Sequence, residues 1–356
     1  MKYLRQITIQ IAATALLLIF LPAGAGAKQP PQFIVMFYNT ENLFDTINDP
    51  QTQDDEFTAA GKLHWTPERY EKKIRDIARV ITDVAPKRLP DIIGLAEVEN
   101  RQVLEDLIEK GKLRKGDYGI IHKDSPDLRG IDVALLYKKK TFHTIEHHSI
   151  PIQFPRDTTK VRDILYVKGK TDDGEIFHIF VNHWKSRHGG EKATEQKRVY
   201  SAVVLRRTID SILVFEPRAH ILIMGDFNDE PTNMSIMQIL NAANKRKNTG
   251  ARDLYNLMYD LHNLHDTGTY SYKGHWDMLD QIIISYNLLQ EQNKKGWHTD
   301  YEGGHIFSEE WMLYDNPKAG RKVPNRTYGG PNYYGGVSDH LPVFCIFTQP
   351  PPGKKK

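Results

Sequence analysis

The side chains best placed for chemistry are Asp226 and Asn228, in Gly225-Asp226-Phe227-Asn228 directly after the apolar run Ile221-Leu222-Ile223-Met224. Such a run reads as a buried strand and the glycine as the opening of a turn. In extended chain, residues i and i+2 point the same way, so the carboxylate and the carboxamide can address one point above the strand end. Taken alone, the tetrapeptide also reads as an ordinary Asp/Asn turn that binds its own backbone. The same arrangement recurs along the chain, however. Strand-like runs carry such groups at one end or the other: Asn39 and Glu41, Glu97 and His183 at their finish, Asp132 and Asp280 near their start, and Asp339-His340 precedes the last one. Each has a plain alternative: Asp280 as a buried acceptor, His183 as a core histidine, Ser338-Asp339-His340 as a turn. Together, strand after strand ending in hydrogen-bond acceptors describes a site for a cation and a phosphate.

The elements that must hold these groups follow from apolar spacing. Phe33 to Tyr38 reads as a strand, followed by a polar, acidic loop from Asp45 to Leu63. Thr66-Pro67 is a helix start, with Tyr70, Ile74, Ile77, Ile81 and Val84 at helical spacing after it. Asp91 to Glu97 is a strand, and Asn100 caps a second helix that Gly111 ends. Strand, helix, strand, helix argues for a layered α/β protein. Further strands are expected at Ile131–Tyr137, Ile164–Val167, Ile176–His183, Met278–Ser285 and Val343–Phe347. Ile176–His183 is apolar on both faces, as in a sandwiched strand. A long helix from Ala193 to Leu213 and a shorter one near Met234 to Ala243 flank the Asp226 strand. Between Tyr286 and Val337 the chain is irregular and rich in Gly, Tyr and Asn, including Arg326-Thr327-Tyr328. Loops of that length are usually functional or disordered, and arginine among aromatics suits a substrate-facing wall as well as a packed surface.

Composition narrows the classes. The formal charge is +3 over 356 residues. Without Lys2 and Arg5 it falls to +1, and the tail Lys354-Lys355-Lys356 carries three positives, so the body is near neutral. Binding to nucleic acid through a global positive field is therefore not supported, and phosphate recognition must be local. Lys2 and Arg5, the apolar run Ile11 to Leu21 and Ala25-Gly26-Ala27 form a secretory signal of bacterial type, with an uncleaved anchor as the alternative. Export to the periplasm or beyond is expected, with no membrane span after cleavage. The single Cys345 excludes an internal disulfide, and its apolar surroundings make it a core residue. With no Gly-x-Ser-x-Gly elbow, serine and cysteine hydrolases are excluded as well.

The ordered set Asn39-x-Glu41, Gly94-Leu95-Ala96-Glu97, Asn182-His183, Gly225-Asp226-Phe227-Asn228, Leu279-Asp280 and Ser338-Asp339-His340 resembles the endonuclease/exonuclease/phosphatase superfamily, the DNase I-like group. The resemblance spans about Phe33 to Phe347. It implies a four-layer α-β-β-α sandwich with two packed central sheets, a single domain over 28–350 between the leader 1–27 and the basic tail 351–356. It also implies metal-assisted phosphoester hydrolysis. Glu97 would be the main ligand of Mg²⁺ or Mn²⁺, with Glu41, Asn39 and Asp339 around it. Asp226 would deprotonate the attacking water, Asn228 would position it, and His340, oriented by Asp280, would bind the phosphate. His183 would act beside them with Asp132 as its carboxylate partner. Arg162, Lys185 and Arg187 would contact phosphate, or else belong to a solvated loop. Glu41 stands where abasic-site enzymes have a shorter acid, which leaves one or two metals open, and the DNase I disulfides have no counterpart.

The expected function is a secreted, monomeric, metal-dependent phosphodiesterase acting on DNA or RNA. The alternative keeps the chemistry but changes the substrate to sugar, inositol or lipid phosphates. A non-catalytic binding protein on this fold would have lost one of Glu97, Asp226, Asn228, Asp339 or His340, and all are present. A zinc site through His183 and His340 is disfavoured by the oxygen-rich set.

Overall fold

The computed structural model describes residues 30–247, 249–264, 266–289 and 295–350; the expected leader 1–27 and the tail 351–356 lie outside them. In chain order the strands begin with β1 (Gln32–Leu43), β2 (Ile92–Val98), β3 (Tyr118–His122), β4 (Asp132–Lys138) and β5 (Phe142–Ile150). Next come β6 (Ile164–Thr171), β7 (Ile176–His183), β8 (His220–Asp226) and β9 (Leu254–Asn256). A small hairpin, β10 (Tyr270–Tyr272) and β11 (His275–Asp277), precedes β12 (Asp280–Ser285) and β13 (Gly304–Ile306). Two further hairpins, β14 (Leu313–Asn316) with β15 (Arg321–Pro324) and β16 (Tyr328–Gly329) with β17 (Asn332–Tyr333), lead into β18 (Val343–Thr348). The long helices are α1 (Pro67–Val84), α2 (Arg101–Ile108) and α3 (Glu191–Phe215).

Two six-stranded sheets carry the structure, in the orders β13-β18-β1-β2-β4-β3 and β5-β6-β7-β8-β12-β9. Their inner faces pack on each other. Val35, Phe37, Ile92 and Leu135 of the first sheet meet Phe177, Ile179, Leu222 and Met224 of the second in one core. Strand side chains alternate, so Met36, Tyr38, Ile93 and Leu95 face outward and are covered by Ile74, Ile77 and Ile81 of α1 and Leu104 and Leu107 of α2. On the far side Phe180, Ile221 and Ile223 are covered by Leu205, Ile209 and Leu213 of α3. This is the expected four-layer α-β-β-α sandwich. Cys345 lies free in the central core. Among the described residues no helix is long and apolar enough to cross a membrane.

One parallel pair in each sheet does the positioning. β1 and β2 are parallel and joined through α1; β7 and β8 are parallel and joined through α3. A parallel pair needs such a crossover, and it brings two carboxyl ends to the same edge. β12 runs antiparallel to β8 and starts at that edge, with Asp280 opposite Asp226 and His183 opposite Asp226 on the other flank.

Local expectations held where caps and apolar stripes were strong. Thr66 and Asn100 accept hydrogen bonds from Arg69 and Val103 N–H as helix caps. Five strands before β12 were not in the reading, β3, β5, β9, β10 and β11; the residues of β5 from His143 to His148 are mostly exposed and polar, and β5 is a sheet edge. The helix expected near Met234 to Ala243 is a single π-helical turn, Ser235–Ile239. The stretch from Tyr286 to Val337 contains two hairpins and short turns rather than one irregular loop.

Gly225 sits where β7 and β8 come closest to the site. A Cβ there would lie 2.4 Å from the carbonyl oxygen of Asn182, which is backbone and cannot swing away. Gly225→Ala is therefore expected to lower stability by about 1–3 kcal/mol in urea unfolding, the scale of overpacking.

Candidate active site

The polar strand ends converge on one pocket of about 760 Å³, open to solvent, between the edges of the two sheets. Glu41, Glu97, His183, Asp226, Asn228, Asp339 and His340 all line it. Several stand on backbone that turns sharply out of the strands. Glu41, Glu97 and Asn228 have φ of 51°, 59° and 50°, and β1 carries an irregularity between Asn39 and Leu43. That irregularity turns Glu41 out of β1, a second one in the β2–β4 pairing between Ala96 and Val98 falls at Glu97, and Asn228 lies in the turn after β8.

Asn39 joins the two sheets. Its Nδ2 donates to Asp226 Oδ2 at 3.0 Å and to Glu97 Oε1 at 3.4 Å, while its Oδ1 accepts from the Glu41 N–H at 3.0 Å. Asp226 Oδ1 accepts from Asn228 N–H at 2.9 Å, and Glu97 Oε2 accepts from Asn42 N–H at 3.0 Å. His183 Nε2 lies 3.7 Å from Glu97 Oε1 and 3.6 Å from Asp226 Oδ2. His340 Nδ1 is 2.7 Å from Asp280 Oδ2, and its Nε2 is 3.9 Å from both Asp226 Oδ2 and Asp339 Oδ1.

The two histidines are pushed in opposite directions. Burial, with Arg162 and Arg129 nearby, holds His183 well below the ordinary imidazole range, which favours its neutral form. Burial also works against a charged His340, but Asp280, then Asp226 and Asp339, outweigh it and hold the imidazolium well above that range. Burial pushes the Asp226 carboxyl up to about 6; His340 opposes that rise and Asp280 adds to it.

One wall is the segment carrying Arg326, Thr327 and Tyr328. Glu41 fixes it by accepting from Thr327 N–H at 2.6 Å. Lys73, buried on α1, donates to Thr327 Oγ1 at 2.6 Å and to the Val337 carbonyl at 2.7 Å, with Glu41 Oε2 4.0 Å away. Arg326 Nη2 reaches Asp339 Oδ2 at 3.3 Å. Sequence reading missed Lys73 as a site residue. The signal was there: Lys73 falls on the apolar stripe of α1 beside Tyr70, Ile74 and Ile77. Arg129 and Lys62, which also line the pocket, left no comparable trace, being single cations in polar loops.

Three expectations need correction. Asp132 is not the partner of His183: its Oδ2 is 3.1 Å from His122 Nε2 and its Oδ1 accepts from Ser125 N–H, because β4 pairs with β2 and β3 in the other sheet. His183 Nδ1 is instead buried with no hydrogen-bond partner among the described residues. Arg162 does not face the pocket. It is buried, paired with Asp127 at 2.8 Å, and donates to the carbonyls of His183 and Trp184, so it braces the end of β7. Lys185 does not line the pocket and lies half-buried near Arg162 and Arg129. Arg187 does line it, its Nε held by the Asn228 carbonyl at 2.8 Å. Removing one partner of a buried ion pair strands the other, so Arg162→Met is expected to cost about 3–5 kcal/mol in urea unfolding.

The donor chemistry fits a divalent cation. Among the described residues, the side chains close enough to share an ion are Asp226 and His340 of the pocket with the buried Asp280 behind them, and His122, Asp124 and Asp132 outside it. Glu41, Glu97 and Asp339 do not form so tight a group, since Glu41 and Asp339 are turned toward the Arg326–Tyr328 wall. Their carboxylates nevertheless line one pocket, and hard oxygen donors of this kind suit Mg²⁺-like ions.

A sequence model of the Endonuclease/Exonuclease/phosphatase family matches residues 34–349. No curated protein matches the chain. Among solved structures, an endonuclease/exonuclease/phosphatase family protein from Bacteroides thetaiotaomicron is similar at 17% identity and a TM-score of 0.55, over 91% of this chain and 100% of that one. The human nocturnin catalytic domain with bound sulfate is similar at 19% identity and 0.51, over 91% and 97%. TDP2 of D. rerio complexed with a single-strand DNA product is similar at 14% and 0.55, over 89% and 99%. At these identities the likeness concerns the fold alone, but the family match takes in every strand that ends at the pocket: the chain belongs to the endonuclease/exonuclease/phosphatase family.

Proposed function

We propose that the chain is an exported, Mg²⁺- or Mn²⁺-dependent phosphodiesterase that cleaves DNA or RNA. Membership of the family makes it a phosphoester-hydrolysing enzyme; the polymer, the metal and the location are this proposal's own. The observation that carries it is Asp226, a buried carboxylate whose Oδ2 lies 3.6 Å from His183 Nε2 and 3.9 Å from His340 Nε2 in an open pocket. With its pKa pushed up to about 6 by burial, Asp226 is ionised at neutral pH yet basic enough to take a proton from water. His340, its Nδ1 committed to Asp280, presents Nε2–H to a phosphate oxygen. Asn228 and Asn39 hold Asp226 from its two oxygens and fix its direction. A divalent cation bound by Glu97, with Glu41 and Asp339 beside it, would neutralise charge gathering on the phosphate.

Nucleic acid is favoured by the walls. Tyr270 and Tyr328 line the pocket along with Arg129, Arg187 and Arg326, which pairs aromatic rings with donors for phosphates. Structural similarity to a TDP2 bound to single-strand DNA product supports the same reading. The near-neutral body favours the second reading, a small phosphoester, because a polyanion rewards a basic track. Lys2, Arg5 and the apolar run to Leu21 are the support for export.

The chain from Lys28 onward, supplied with Mg²⁺ or Mn²⁺, should degrade plasmid DNA or total RNA and lose that activity in EDTA. Hydrolysis of bis-p-nitrophenyl phosphate without either polymer would move the substrate to small phosphoesters. Asp226→Asn should lower kcat by roughly 10²–10⁴-fold, the scale of a lost general base. Glu97→Gln should shift the metal titration to higher concentration, and an unchanged titration would remove Glu97 as a ligand.

A further inference from the structure

Beside the catalytic pocket lies a second groove of about 270 Å³ that shares Tyr272, Arg326 and Asp339 with it. Three separate hairpins build its walls. Tyr272 comes from β10–β11, Tyr314 from β14–β15, and Tyr334 from the segment just after β17. These rings are 55%, 39% and 58% exposed, and none belongs to the hydrophobic clusters that hold the fold together. Three tyrosines from three hairpins left open on one groove are not explained by packing.

Their backbones, by contrast, are fixed. Tyr334 N–H donates to the Thr327 carbonyl at 2.9 Å, and Thr327 is in turn held by Glu41 and Lys73. Gly329 lets the Tyr334 ring lie against the chain: a Cβ at that glycine would come within 2.5 Å of the ring. The Tyr314 hydroxyl accepts from Asn316 Nδ2 at 3.1 Å. Cations stand beside the rings. Lys273 Nζ lies 5.2 Å from the Tyr272 ring centre, and Arg326 sits at the junction with the catalytic pocket.

We propose that this groove is a subsite for the unpaired bases of a single nucleic-acid strand whose scissile phosphate lies in the catalytic pocket. Fixed aromatic faces with cations alongside are what an unpaired strand needs: each base stacks and the backbone is neutralised. A duplex cannot use them, since its base faces are already stacked on one another. Arg326 has five N–H donors and gives Asp339 only part of them, so it can meet the phosphate that links the two sites. The inference rests on the nuclease reading and narrows it to single-stranded substrate.

The test compares the wild-type chain with Tyr314→Ala/Tyr334→Ala and with Tyr314→Phe/Tyr334→Phe. Three substrates are used with Mg²⁺: an end-labelled single-stranded dT₁₂, a labelled twelve-base-pair duplex, and bis-p-nitrophenyl phosphate. The alanine pair is expected to raise KM for dT₁₂ roughly tenfold or more, the scale of lost base stacking, with kcat held. The phenylalanine pair should keep the wild-type KM, and the small diester should be hydrolysed equally by all three proteins. If the wild type cleaves dT₁₂ and the alanine pair leaves its KM unchanged, or raises that for the duplex equally, the groove proposal is overturned while the nuclease reading stands. If the wild type cleaves only the small diester, the nuclease reading fails and the groove proposal fails with it.

Discussion

The active edge depends on one side chain, Asn39, whose Nδ2 lies between two carboxylates from different sheets, Glu97 and Asp226. Two acids brought that close repel each other, and a neutral donor shared by both relieves the repulsion without neutralising either. The arrangement survives only if the sheets do not slide. The apolar core between them, where Phe37, Phe177 and Met224 interlock, supplies that rigidity. Catalytic geometry here is thus a property of sheet-on-sheet packing, and the polar residues at the rim inherit their distances from side chains that never meet solvent.

A second layer of the same logic governs the wall. Glu41 faces the pocket, yet its carboxylate is spent on the Thr327 backbone and on proximity to Lys73. Burial and Asp339 push it up to about 7, with Lys73 opposing. An acid that lines the pocket therefore also holds the loop that carries Arg326. The hairpin segments from Tyr270 to Gly336 that surround the pocket are tied to the sandwich at a few such points, so the outer architecture can vary while the rim stays fixed.

Much of the fold was legible because its signals were local. Thr66, Asn100 and the apolar stripes of α1 to α3 announced the helices, and strands apolar on both faces announced a sandwich. The strand-end acids and histidines were legible as a set, and Glu97, His183, Asp226, Asn228, Asp339 and His340 do meet. What failed required knowing which strand lies beside which. Asp132 looked like a partner for His183 by type, but β4 belongs to the opposite sheet and hands it to His122. Arg162 looked like a phosphate ligand, but it is buried and paired with Asp127. Spacing in sequence fixes which way a side chain leaves its strand; it does not say what it finds there.

Glu41, Glu97 and Asn228 share left-handed backbone, a conformation in which a side chain of this kind is disfavoured by on the order of 1 kcal/mol or more and glycine is at home. Asparagine is among the side chains that tolerate it, and at the two glutamates the strain is set against hydrogen bonds that a glycine could not make, from Thr327 N–H to Glu41 and from Asn42 N–H to Glu97. Turn and contact cannot be exchanged separately: a glycine at 41 or 97 would relax the backbone and release Thr327 or Asn42 in the same change.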